Sequence, residues 1–103
     1  MAQKFILTSH GFIRMGDVGL HRELLLPSDV CLGGGFYHLD YVASRLVLDG
    51  ASYDYGRPQW GALPPGSTLN VPIGYKGLGI VYEAGYHHKE TLDLAQEYVI
   101  EYY

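Results

Sequence analysis

Residues 31–40 (Cys-Leu-Gly-Gly-Gly-Phe-Tyr-His-Leu-Asp) and, four residues later, 45–56 (Arg-Leu-Val-Leu-Asp-Gly-Ala-Ser-Tyr-Asp-Tyr-Gly) decide how this chain folds. Three consecutive glycines have no side chains to pack. Gly33-Gly34-Gly35 therefore mark a close approach of another backbone or a sharp bend. Phe36 to Asp40 reads as a strand. Arg45 to Tyr55 is a second extended stretch, with Leu46 and Leu48 on one face and Val47 on the other. Asp49-Gly50 inside it admits two readings. The dipeptide is a short hairpin signal, or the stretch is one long strand with Gly50 at a bulge or close approach.

Working outward, Lys4 to Thr8 reads as a first strand, ended by Ser9-His10-Gly11, and Phe12 to Val18 as a second, with a bend at Gly16-Asp17. Residues 21–26 read as one helical turn or a short strand, broken by Pro27-Ser28-Asp29. On the other side, Pro64, Pro65 and Pro72 with Gly61, Gly66 and Gly74 make residues 61–76 a long loop with room for one turn of helix. Gly79 to Glu83 is a further strand. Near the C-terminus Leu92, Ala95, Val99 and Tyr102 share a helical face, with Thr91 as an N-cap. The run Tyr98-Val99-Ile100-Glu101-Tyr102 has strong strand propensity, and strand is the favoured reading there.

The 103 residues suit a single domain, 1–103, with no repeat, low-complexity segment or linker. At 48% hydrophobic and 17% charged the chain is not of disordered composition. Ten Tyr and fourteen Gly favour strands and tight turns. The expectation is an α+β domain: a β-rich mixed sheet with one or two short helices. A net charge of −4 lacks the basic footprint of a nucleic-acid binder. Phe5-Ile6-Leu7 is too short for a signal-peptide core, and no run approaches a membrane span. The expectation is a cytoplasmic protein with no membrane association.

Cys31 is the only cysteine, so an intrachain disulfide and Cys-based zinc sites are excluded. Its expected role is that of a small hydrophobe. The glycine run lacks the lysine and hydroxyl residue of a P-loop. Histidines stand at 10, 21, 38, 87 and 88. On a strand His87 and His88 would point to opposite faces, so a solvated turn is the expectation there. With no His or carboxylate spacing of a metal motif, neither metal nor cofactor is expected.

Taken in order along the chain, Cys31-Leu32-Gly33-Gly34-Gly35 followed by Asp49-Gly50-Ala51-Ser52-Tyr53-Asp54-Tyr55-Gly56 resembles the signature of the Janus/Ocnus phosphohistidine phosphatases. That family has Cys-Leu-Gly-Gly-Gly, then a strand of the form Gly-Tyr-Ser-x-x-Tyr-Gly, at the same spacing. The likeness is motif-grade over 31–56 and weaker over 3–82. Lys4 resembles the family's substrate-binding lysine, Arg14 its arginine after a branched aliphatic residue, and His21 its catalytic histidine. The chain differs from the pattern at Phe36, at Asp54 and in a short segment between His21 and Cys31.

The resemblance implies the phosphohistidine phosphatase fold, with Arg45 to Tyr55 as one strand and no hairpin at Asp49-Gly50. It also implies a cofactor-free hydrolysis of phosphohistidine on a partner protein or another small phosphorylated ligand. His21 would act as general base or nucleophile, and Lys4, Arg14, Arg22 through its backbone N–H, and Ser52 would hold the phosphoryl group. A labile P–N bond asks for little beyond positioning and stabilisation of the phosphoryl oxygens. Two other readings stay open. One is a catalytically inactive anion-binding module on the same fold. The other is an interaction protein that pairs with a partner or a second copy through Tyr98, Tyr102 and Tyr103.

Overall fold

The computed structural model describes residues 1–85 and 91–103. His87 and His88 lie outside the described residues. Six strands form one mixed sheet: β1 (Ala2–Thr8), β2 (Ile13–Val18), β3 (Cys31–Asp40), β4 (Arg45–Asp49), β6 (Gly79–Glu83) and β7 (Thr91–Asp93). Their spatial order is β2-β1-β3-β4-β6-β7. All neighbours are antiparallel except β4 and β6, which run parallel. A parallel pair needs a crossover, and residues 50–78 supply it. That crossover carries β5 (Thr68–Val71), which pairs in parallel with β8 (Val99–Tyr102) in a second, two-stranded sheet. Among the described residues, helix is confined to 3-10 turns at His21–Leu24, Trp60–Ala62 and Ile73–Tyr75 and one α turn, α1 (Leu94–Glu97).

The core lies on one face of the large sheet. Phe5, Leu7, Ile13, Tyr37, Leu46, Leu48, Ile80 and Tyr82 meet Leu63, Leu69, Val71, Leu94 and Tyr98 from the crossover, β5, α1 and its C-cap. Alternation sends Lys4, Arg14, Phe36, His38, Val47, Asp49 and Glu83 to the other face. On the core side burial drives the Tyr37 hydroxyl up to about 12. The C-terminal residue is tied in as well: the Tyr103 hydroxyl donates to the Ile13 carbonyl at 2.7 Å, and its ring meets Phe12 edge-on at 5.2 Å.

The glycine run is a strand as well as a close approach. β3 starts at Cys31, five residues earlier than the alternation of side chains suggests. A Cβ at Gly33 would strike the Arg57 carbonyl, at Gly34 the Phe5 carbonyl, and at Gly35 the Asp49 carbonyl. Bare backbone is what lets three chain segments crowd together here.

Arg45 to Tyr55 is not one strand. β4 ends at Asp49, and Gly50 takes φ +70°. No hairpin forms at that point either. Phe36 pairs with Asp49, and the Ser52 N–H then donates to the Gly34 carbonyl at 2.9 Å. The chain thus keeps to the edge of β3 with one extra residue, a bulge at Gly50-Ala51. Residues 53–55 turn back because Ser52 closes the loop: its hydroxyl donates to the Gly56 carbonyl at 3.1 Å and accepts from the Tyr55 N–H at 2.9 Å.

One further segment departs from the sequence reading. Residues 61–76 hold a strand, β5, whose Leu69 and Val71 are fully buried. With two apolar residues among prolines, its period was too short to register. In the C-terminal stretch the favoured strand is present as β8 (Val99–Tyr102), preceded by a short strand and one helical turn. Asp93, not Thr91, caps the turn, accepting the Ala95 N–H at 3.1 Å. Among the described residues, no helix is long and apolar enough to cross a membrane.

Candidate functional site

The segment 19–30 lies against β1 and β2 on the face of the sheet opposite the core, and it carries His21. Its 3-10 turn begins after Leu20, whose carbonyl accepts the Glu23 N–H at 3.1 Å while its own N–H donates to Glu23 Oε2 at 2.7 Å. This reciprocal pair fixes the turn and drives the His21 ring inward.

The ring is only 3% exposed. Nε2 lies 2.7 Å from the Gly35 carbonyl oxygen, and the ring stands edge-on to Phe36 at 5.3 Å between centroids. A carbonyl only accepts, so Nε2 carries the hydrogen, and in the neutral ring Nδ1 keeps its lone pair. Among the described residues, the hydrogen bond of the ring runs through Nε2. Phe36, where the family pattern has a polar or basic residue, is the side of the slot that holds the ring.

Lys4 pairs with Phe36 across β1 and β3, and its ammonium donates to the Gly19 carbonyl, two residues before His21. Only one of its three N–H bonds is used there. Arg22 follows His21 in the same turn, exposed, and its backbone N–H has no backbone acceptor, as expected for the first turn of a helix. Lys4, His21 and Arg22 are thus brought together.

Arg14 and Ser52 have partners of their own. Arg14 Nε and Nη2 donate to the two carboxylate oxygens of Asp29 at 2.6 and 3.0 Å. That bond holds the Asp29 carboxyl below the usual carboxylate range, helped by the Leu26 N–H at 2.8 Å, and raises Arg14. The guanidinium also lies over the Phe12 ring, 4.9 Å from its centre. The Ser52 hydroxyl is 5% exposed and spends its one hydrogen on Gly56. The Arg14 engagement is not legible in the sequence, because Asp29 stands fifteen residues away.

Cys31 fits its expected role: burial pushes its thiol up, which leaves little thiolate at neutral pH. Missed altogether was the pair His38–Asp49, with Nδ1 3.5 Å from Oδ2. Burial raises the Asp49 carboxyl, and Glu83, in register with it on β6, pushes the same way. The signal was available in the spacing: Phe36 and His38 alternate onto one face. Among the described residues, no group of three or more His, Cys, Asp or Glu side chains could hold a metal ion.

Surface clefts among the described residues lie away from His21. One, of about 410 Å³, is lined by Trp60, Tyr82, Ala84, Thr91 and Leu92. A second, of about 370 Å³, shares Trp60 and Leu92 and adds Leu63, Pro65, Glu97 and Tyr98. A third, about 70 Å³, sits at the β3–β4 turn beside Asp40 and Arg45. The chain matches no family model, no curated protein and no solved structure.

Proposed function

We propose that this chain hydrolyses phosphohistidine without a cofactor, on the phosphohistidine phosphatase fold and in the cytoplasm, with His21 as general base. One observation carries the reading. His21 is held through Nε2 by the Gly35 carbonyl, so Nδ1 is the basic nitrogen of the neutral ring, and Lys4 donates to the Gly19 carbonyl two residues before it. A base whose other nitrogen is tied to a backbone carbonyl is held in one tautomer and one orientation. Water loses its proton to Nδ1 as its oxygen attacks phosphorus. Lys4 and the Arg22 N–H meet the phosphoryl oxygens, and Arg14 positions the segment that carries His21 by clamping Asp29.

A second reading has its own support: an anion-binding module, paired with a partner or a second copy, that does not turn over. Arg14 is neutralised by Asp29 and the Ser52 hydrogen is already given to Gly56, so fewer donors remain for the charge that develops in a transition state.

The deciding experiment is phosphate release from a phosphohistidine peptide in the presence of chelator. Wild type is compared with His21→Gln and Lys4→Met, each checked by thermal melting. Turnover that falls by about 10²-fold or more in His21→Gln supports the enzyme. A wild type that binds phosphate near Lys4, seen as shifts in NMR spectra, yet releases none supports the binding module. Neither turnover nor binding removes both readings.

A further inference from the structure

The residues that cross the sheet in register with Lys4 form a row on the His21 face: Gly16, Lys4, Phe36, Asp49, Glu83 and Thr91. His21 covers Phe36 in that row. Asp49 is next to Phe36 on the adjacent strand, about 5 Å away by strand spacing. His38 follows two residues along β3, about 7 Å further on the same face. Its Nδ1 faces Asp49 Oδ2 at 3.5 Å, and its side chain is 55% exposed. Nε2 is therefore the nitrogen turned away from Asp49 toward solvent.

We propose that His38 is the acid for the same reaction, donating the Nε2 proton to the departing imidazole of phosphohistidine, with Asp49 as its positioning residue. The inference rests on the hydrolytic reading of His21. Base and acid then stand on either side of Phe36, on the order of 10 Å apart. That gap takes a phosphoryl group with water on one side and its leaving group on the other. The balance is complete. The oxygen lone pair of water forms the O–P bond, and its proton goes to His21 Nδ1. The P–N electron pair passes to the leaving nitrogen, which takes the Nε2 proton of the His38 imidazolium and leaves a neutral ring with Nδ1–H toward Asp49. The proton on His21 returns to solvent and His38 is reprotonated from it, so the products are histidine and inorganic phosphate.

Asp49 has a feature that a purely structural residue would lack. It is a half-buried carboxylate set in register with a second carboxylate, Glu83, on a parallel neighbour, an arrangement that costs stability. The His38 ring, with Nδ1 at 3.5 Å, is the neighbour that meets this carboxylate, as a cation when protonated.

The test compares two substrates that differ in what the leaving group needs. Imidazole must be protonated to depart well, whereas p-nitrophenolate leaves as a stable anion. In chelator, with folding confirmed by melting, the ratio of phosphohistidine to p-nitrophenyl phosphate turnover is measured for wild type, His38→Gln, Asp49→Asn and His21→Gln. His38→Gln is expected to lower the ratio by about 10²-fold. Asp49→Asn is expected to lower it less and to move the alkaline limb of the phosphohistidine pH–rate profile to lower pH. An unchanged ratio in His38→Gln, with both rates lost in His21→Gln, overturns the acid and leaves the base standing. A wild type that turns over neither substrate overturns both.

Discussion

The two faces of the six-stranded sheet are built from the same strands yet do opposite things. On the core face, apolar side chains from β1 to β6 meet a second layer that closes over them, and residues such as Phe5, Leu46 and Leu48 are fully buried. On the other face the described cover is the segment 19–30, and the residues that alternate with the core ones are Lys4, Arg14, Phe36, His38 and Asp49. The larger core is thus on one side, while the other side sets titratable residues among the buried Ile6, Thr8, Val47 and Val81. A strand makes this separation automatically, because its side chains change face at every residue.

The sharpest way to break the comparison is at the one place where both faces depend on the same backbone. A Cβ at Gly35 would press on the Asp49 carbonyl and on the Phe5 ring, while the Gly35 carbonyl itself holds His21. Gly35→Ala is expected to abolish cooperative thermal unfolding, read by circular dichroism. A normal melt would show that the close approach is soft.

Leu48→Ala tests the core face alone. It removes a fully buried side chain and should cost about 2–5 kcal/mol in denaturant titration. A cost under about 1 kcal/mol would mean that the second layer collapses onto the gap.

Asp29→Ala tests the strap over the other face. It removes the carboxylate that the half-buried Arg14 guanidinium grips with two hydrogen bonds, at about 1–3 kcal/mol. The sign with pH follows from the lowered Asp29 carboxyl. Its contribution is complete above the unfolded value of about 3.9 and is lost as pH falls through the lower folded value. Wild type and mutant should therefore converge in stability in strong acid. Parallel curves would assign the cost to packing instead.

The smallest expected effect has the opposite sign. The Asp49 carboxyl is raised by burial, so its folded-state contribution is favourable below about pH 4 and becomes a cost as pH rises through the folded value. Asp49→Asn should then be more stable at pH 7 by about 0.2–1 kcal/mol, the range for relieving like charges across a strand pair. Gain of stability together with loss of phosphohistidine turnover would mark Asp49 as kept for function. Loss of stability would make it a structural residue.

Much of the domain was legible in the sequence where a single local cause sufficed. Period-two alternation located β1, β2, β4 and β6, and the glycine run announced a close backbone approach that three carbonyls now account for. His21 was singled out by its place in a motif order. What surrounds it was not legible, because Gly35, Phe36 and Asp29 reach the site through strand pairing and a chain reversal. Arg14 shows the difference: the resemblance implies a phosphate ligand, whereas the structure pairs its guanidinium with Asp29.

By itself the sequence determined which residues face which side of each strand, since alternation is a property of the extended backbone and needs no partner. It also determined where the chain must be bare, at Gly33 to Gly35. The tertiary structure decided register, which strand neighbours which, and hence which polar groups meet. That is why Arg45 to Tyr55 breaks at Gly50 into strand and bulge, why β5 forms among prolines, and why His38 finds Asp49. Pairing energies come from contacts between segments distant in the chain, and no short window of sequence contains both partners.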